Sequence, residues 1–384
     1  MVKINYFNGK LSQGFVALFS GRMIQFAAAG LIGLFLPIFL LTKLNYQVEY
    51  VFLYYIAGYL AYALLVPIGA QFLNKIGLRR SLRISVILDG AFYACFFLFD
   101  KSPSLFLVLS IIILTLSRLL FWLPFHTDFA KFTSRADRGK EVSLMWATRS
   151  FLWVVMPVIA GFLIVRYGFN VVFVIAIILY LSAGIPFLTL PRTKEKFSWG
   201  VLETFKRFFS RENRKLVLAN MANGAENCVG IIIWPIFIWQ LVNENYLEVG
   251  ILSSLIVLVA VILQLITGKY TDIFDKRKLL RWGSAFYALG WLVKIFVLTA
   301  SQIFIAGTYH VLAKIFKDTP FDTLNYEIMA DQGHLVDEYT VLKEIAIQTG
   351  RVLMLIFAIV VALNFGLNWT FALAALASLF INLL

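Results

Sequence analysis

The chain has 384 residues, of which 61% are apolar and only 14% charged, with a mean hydropathy of +0.84 and a formal net charge of +13. That composition excludes an ordinary soluble domain, whose apolar share is nearer half, and places the chain in a bilayer. The positive charge gathers in alternate loops, which is a membrane-topology pattern and excludes a continuous nucleic-acid-binding face.

Apolar runs of about 20 residues, enough to cross roughly 30 Å of hydrocarbon as a helix, recur along the whole chain. They predict twelve transmembrane spans, at 14–42, 48–73, 81–99, 104–126, 143–165, 170–190, 215–241, 247–270, 279–298, 302–324, 341–364 and 368–384. The first span is too long for a signal peptide and lacks a small-residue cleavage site, so it is expected to stay in the protein. It carries Arg22 and Gln25, three residues apart on one helical face, and ends in "LPIFLLTKLN" at 36–45. The loop after the second span holds Lys75, Arg79, Arg80 and Arg83, and the loop after the fourth holds Lys131, Arg135, Arg138 and Lys140. Eight Lys and Arg lie from Arg192 to Lys215 and five from Lys269 to Arg281, whereas loops of the other parity hold Lys43, Lys101 and Arg166. By the positive-inside rule both termini are expected in the cytoplasm, with the chain in the plasma membrane of a bacterium.

Between spans 6 and 7, "KFSWGVLETFKRFFSREN" places Val201, Leu202, Phe205, Phe208 and Phe209 on one apolar helical face, as expected of a linker helix lying in the inner interface. The seventh span repeats the end of the first. "WPIFIWQLVN" at 234–243 returns Pro37, Ile38, Phe39 and Asn45 as Pro235, Ile236, Phe237 and Asn243. Further pairs stand at matching helix ends: "NKIGLRR" from Asn74 with the loop around Asp272, "YGFN" at 167–170 with "FGLN" at 365–368, and "LPFHT" at 123–127 with "TPFDT" at 319–323. Four matches in register predict a duplication of six spans. Six is even, so the copies enter from the same side and form parallel repeats, with prolines kinking the first helix of each. The expected organisation is a six-helix half at 1–190, a linker at 191–214 and a second six-helix half at 215–384.

Twelve spans in two halves, a longer basic linker and a glycine/acid/basic loop after spans 2 and 8 resemble the major facilitator superfamily of secondary transporters, over essentially the whole chain. Gly268, Asp272, Lys276 and Arg277 match that family's loop signature in the second half. In the first half Lys75, Gly77, Arg79 and Arg80 match, while Ala70 and Asn74 replace the glycine and the acid. The resemblance implies an all-α fold of two six-helix bundles and a loop acid that locks the cytoplasmic side, a role that falls to Asp272 because Asn74 is uncharged. "MPVIAG" at 156–161, with Arg118 in span 4, resembles a stretch of the superfamily's drug/proton antiporters and tilts the expectation towards export.

Each ionisable group inside a span would cost roughly 3 kcal/mol at mid-depth if it faced lipid. Glu226 in "NGAENC" lies near the middle of span 7, among Asn220, Asn223 and Asn227, and is the first candidate for a coupling proton, with Asp318 and Glu344 behind it. His310, Lys314 and Lys317 fall on one stripe of span 10, where they repel unless something anionic meets them. Arg22, Gln25, Arg118, Arg149, Asn223, His310, Lys314, Lys317 and Arg351 form the candidate substrate cavity, with Arg118, Lys314 and Lys317 holding a negative group. Lys294, near the end of span 9, is expected to snorkel. Cys95 and Cys228 lie within spans and read as core residues, and His126, His310 and His334 are too scattered for a metal site.

No catalytic elbow, nucleotide loop or zinc motif is present, so neither an enzyme nor a cofactor is expected. The expected function is a monomeric secondary transporter with a small-molecule substrate, a surrounding shell of membrane lipid and a coupling proton. It is expected to export amphipathic or anionic compounds. Uptake of a small organic anion or sugar is the alternative within that class; a receptor without transport and a membrane-embedded transferase are the alternatives outside it.

Overall fold

In a computed structural model of the chain, residues 11–133, 138–193, 197–271, 275–330 and 336–384 are described. Among them no strand occurs, and the helices make twelve crossings. These are α1 (Gln13–Lys43, in two pieces), α2 (Val48–Ile76), α3 (Leu78–Phe97), α4 (Pro103–Phe132), α5 (Arg138–Tyr167) and α6 (Phe169–Leu188). After a linker helix at Val201–Phe208 come α7 (Arg214–Leu241), α8 (Tyr246–Thr271), α9 (Lys276–Lys294), α10 (Ala300–Ala330), α11 (Val336–Phe365) and α12 (Thr370–Phe380). Helix is the local solution that satisfies every backbone amide without water, which is why apolar runs became helices. Eight of the crossings are long and apolar enough to span a membrane by length and composition alone. The others are α3, α9 and α10, which carry charged residues, and α12, which is short.

The duplication is written into the backbone. In α1 a tight turn at Gly33–Phe35 precedes the helical piece Leu36–Lys43; in α7 a widened π-helical turn at Val229–Ile233 precedes Trp234–Leu241. Both pieces carry proline in their first turn, where its missing N–H frees an upstream carbonyl and lets the helix bend. Each piece ends on two residues with positive φ, Asn45 and Tyr46 at 56° and 61° and Asn243 and Glu244 at 53° and 64°. Tyr46 and Glu244, 198 positions apart, touch: the phenol donates to Glu244 Oε2 at 3.3 Å. Repeat-related residues meet only near the axis that relates the repeats, so this contact marks the pseudo-twofold at one end of the molecule.

That end, opposite the linker, is closed by direct contact between the halves. Phe35 lies 6.4 Å from Tyr246 ring to ring, and Tyr46 stacks on Trp239 at 6.1 Å. The "MPVIAG" stretch of α5 belongs to the same seam. A Cβ on Gly161 would fall 2.6 Å from the Tyr246 carbonyl oxygen, and one on Gly250 would collide with the Pro157 carbonyl. The glycines therefore let α5 and α8 approach backbone to backbone, a packing role for residues that resemble an antiporter motif.

At the linker end the halves are stitched through the linker. The Asn74 side-chain amide donates to the Phe197 carbonyl at 3.0 Å and accepts from the Phe197 N–H at 2.9 Å. Gln71 donates to the Trp199 carbonyl, and Ser198 donates to Glu338 of α11 from its N–H (2.9 Å) and hydroxyl (2.6 Å). Thr127 of α4 donates to Asp337 of α11 at 3.0 Å. The five apolar residues expected to share one face of the linker helix are divided between the protein and the surroundings. Phe208 is buried and Phe205 half-buried against the protein, whereas Leu202 and Phe209 are 84% and 79% exposed.

Candidate functional site

Polar side chains inside the crossings form two groups, built differently. In the second half, the Lys317 Nζ of α10 lies 2.6 Å from Glu226 Oε1 of α7 and 2.8 Å from Asp318 Oδ1, and donates to Asn223 Oδ1 at 3.0 Å. Tyr287 of α9 donates its hydroxyl to the other Glu226 oxygen at 2.7 Å. Both side chains of the Glu226–Lys317 pair are withdrawn from solvent, at 1% and 0% exposure. Low surrounding polarity strengthens their attraction, and the extra hydrogen bonds offset the cost of desolvating both charges.

Lys314 and Lys317 of the stripe are thus met by the protein's own carboxylates, whereas His310 is not. Lys314 approaches Asp318 Oδ2 at 3.9 Å and stays partly exposed. His310 is buried between rings, its centroid 4.2 Å from Tyr287 and 4.4 Å from Trp291, with Nδ1 lacking a hydrogen-bond partner. Lys294 does not snorkel. It is 2% exposed, with its ammonium 4.0 Å and 4.2 Å from the ring centres of Trp234 and Trp291. Sequence depth suggested an interface position, but the rotation of α9 turns the side chain inward onto two indoles.

In the first half the cations rest on rings. The Arg22 guanidinium lies 4.3 Å from the Phe26 ring centre, 4.7 Å from Phe121 and 5.0 Å from Trp122, and donates to Gln25 Oε1 at 3.2 Å. Arg149 lies 4.9 Å from Trp146 and 5.3 Å from Trp153. Arg118 of α4 and Arg351 of α11 converge from opposite halves on the Tyr59 ring, at 5.5 Å and 5.0 Å. Arg351 also donates to Asn227 Oδ1 (2.9 Å) and Gln348 Oε1 (3.2 Å), leaving its buried Nε unpaired; Gln348 reaches Glu344 at 3.5 Å.

Sequence reasoning passed over Asp89, the acid inside α3. It accepts from the Ser117 hydroxyl, and Arg22 and Arg118 are the cations that act on it electrostatically. A lone acid in "VILDGAF" was the available signal. Tyr287 offered none, because tyrosine is ordinary in a span. Of the loop residues, Arg79 and Arg83 donate to the Leu190, Phe187 and Leu188 carbonyls, capping the end of α6, where cations favour the helix dipole. Gly77 holds a φ of 82° at the end of α2, Lys75, Arg80 and Arg277 are exposed, and Lys276 pairs with Glu327. Gly268 lies in α8, while Asp272 and His334 fall outside the described residues.

Two parallel six-helix bundles around facing polar groups have counterparts among known proteins. The family model of the Major Facilitator Superfamily matches residues 18–224, more than half of the chain. The chain belongs to the Major Facilitator Superfamily. It is similar to solved structures of the peptide transporter POT, one in complex with sulfate and a mutant in complex with alafosfalin. Both align with a TM-score of 0.72 and 12% identity over 97% of this chain and 93% of that one, a likeness of fold. It is also 24% identical over 295 residues to YqgE, an uncharacterised protein of Bacillus subtilis strain 168, covering 73% of this chain and 67% of the relative. This superfamily member is a multi-pass membrane transporter rather than an enzyme.

Proposed function

We propose that the protein is a proton-coupled secondary transporter that exports an amphipathic or anionic solute by alternating access, with Glu226 as the coupling carboxylate. The observation that carries the reading is the buried Glu226–Lys317–Tyr287 unit, which lies within a turn of the π-helical break in α7. π-turns inside α-helices accompany functional sites, and this one lies on a helix that moving halves must bend or tilt. A proton taken up by Glu226 removes its charge, and Lys317 is then held by Asp318 alone among the carboxylates. The bond between α7 and α10 weakens, and the two helices are free to shift. Release of the proton restores the pair.

The negative part of the solute is assigned to the guanidiniums rather than to Lys317, which is already neutralised. Arg118 and Arg351 come to the same tyrosine ring, at 5.5 Å and 5.0 Å from its centre, and an anion engaging both guanidiniums would draw the two halves together. In the membrane, the linker end is assigned to the cytoplasm on the strength of its basic loops. Cysteines replacing Arg80 and Arg207 should then be labelled from inside, and one replacing Lys101 from outside.

The test is flux in proteoliposomes, with a solute first found by thermal-shift screening of aromatic carboxylates, amphipathic drugs and sugars. Glu226→Gln should abolish accumulation driven by a pH gradient while leaving exchange between equal solute pools. If Glu226→Gln accumulates solute as well as the parent does, coupling passes to Asp318 or Glu344.

A further inference from the structure

At the linker end a cavity lies between the first half, the linker and the second half. Its volume is 440 Å³, within the range of ligand pockets, and its wall includes Leu60 and Leu64 of α2, Phe209 beside the linker helix, Arg214 and Leu218 of α7, and Ile345 of α11. Leu60, Leu64 and Leu218 are 45%, 53% and 37% exposed, so the cavity faces the hydrocarbon that surrounds a membrane transporter. Phe209, in the cavity wall, is 79% exposed and Leu202 of the linker helix is 84% exposed, apolar surface suited to lipid beside a basic rim. The exposed Arg214 lines the cavity, with exposed Arg211, Glu212 and Lys215 next to it in the chain, a net charge of +2 for the four.

We propose that this cavity is a binding site for an anionic phospholipid, with an acyl chain along the apolar wall and the phosphate on Arg214. The chemistry of the wall decides the occupant. A soluble anion would find the same basic rim but, inside the cavity, only the Ser210 and Thr349 side chains in an otherwise apolar wall. A chain end finds leucine and phenylalanine along its length, and a phosphate above it finds a cluster of basic residues at the depth where headgroups lie. The wall is drawn from the first half, the linker and the second half together. A seated chain therefore touches all three, and the site survives only while α2 and α11 stay packed at this end. Binding then favours the arrangement in which the linker end is closed, because a ligand shifts a conformational equilibrium by its differential affinity.

Purified protein in detergent is heated with dioleoylphosphatidylglycerol, dioleoylphosphatidylcholine or glycerol phosphate. Phosphatidylglycerol should raise the unfolding temperature at lower concentration than phosphatidylcholine, and glycerol phosphate should have no effect. Arg214→Gln should raise the phosphatidylglycerol concentration needed by roughly fivefold, the worth of one basic residue at a charged lipid surface. Leu64→Trp, which fills the cavity, should abolish the response to both lipids; Leu218→Trp fills it from α7 should the first variant fail to fold. Spin labels at the ends of α2 and α11 should report a shorter distance with phosphatidylglycerol than without. Equal responses to the two lipids, a response to glycerol phosphate alone, or a parental response in both Arg214→Gln and the filled variant would overturn the site.

Discussion

The two halves are parallel repeats of six helices, yet apart from Lys294, which rests on indole rings in the second half, they hold the cations between their helices in different ways. In the first half Arg22 and Arg149 lie over aromatic rings; Asp89, the acid that acts on Arg22, is engaged with Ser117, and the acid that acts on Arg149 is Asp318 of the other half. In the second half Lys317 is neutralised directly by Glu226 and Asp318. A guanidinium on a ring face keeps N–H donors available for an incoming anion, since the ring quadrupole engages its face and not its edge. An ammonium between two carboxylates has none to spare, but it responds sharply to a proton. Duplication thus supplies two equivalent frames; the arginines over rings, among them Arg118 and Arg351 from opposite halves, are suited to holding a ligand, and the Glu226–Lys317 pair of the second half to sensing charge.

The largest test of that contrast lies in the second half. Lys317→Met leaves Glu226 buried with only the Tyr287 hydroxyl and should cost about 3–5 kcal/mol, the usual penalty for stranding one member of a buried pair. Glu226→Gln with Lys317→Met removes both charges and should recover most of the loss. Thermal unfolding in detergent measures both, and a single variant that melts with the parent would show that the pair contributes nothing.

A smaller effect is expected where the halves meet. Tyr59→Leu removes the ring shared by Arg118 and Arg351 and should cost roughly 1–2 kcal/mol, while Tyr59→Phe keeps a ring and should cost less than half of that. Equal losses in the two variants would transfer the role from the ring to the hydroxyl and blur the distinction between the halves.

How far these arrangements were legible in the sequence depends on what is local. Crossings were readable because hydrocarbon leaves a chain one local way to satisfy its amides, and the duplication because proline and asparagine mark both copies of a helix end. The burial of Glu226 followed from its position in the span. Its partners did not, since Tyr287 and Lys317 lie 61 and 91 residues away and meet it only through the rotations of α9 and α10. Lys294 shows the same limit: depth along a helix is visible in sequence, and direction around it is not. Asp89 was within reach of a scan for acids in every span.

The smallest expected effect returns to the loops, where the halves differ again. The loop signature places an acid at Asp272 and an amide at Asn74, and Asn74 clasps both the N–H and the carbonyl of Phe197. A carboxylate accepts but does not donate, so Asn74→Asp keeps the bond from the N–H and sets a negative oxygen against the carbonyl. The change should cost about 1 kcal/mol or less, because the site is exposed and water replaces part of what is lost. With the carbonyl bond lost, hydrogen exchange at Ser198 should speed up, while the Phe197 N–H, still bonded, and the interior of α2 are less affected. Asn74→Gln, which keeps donor and acceptor on a longer arm, should fall between the two. Unchanged protection in Asn74→Asp would mean that Gln71 and Glu338 hold the linker by themselves, and that the missing acid of the first repeat reflects lost gating rather than a gained clasp.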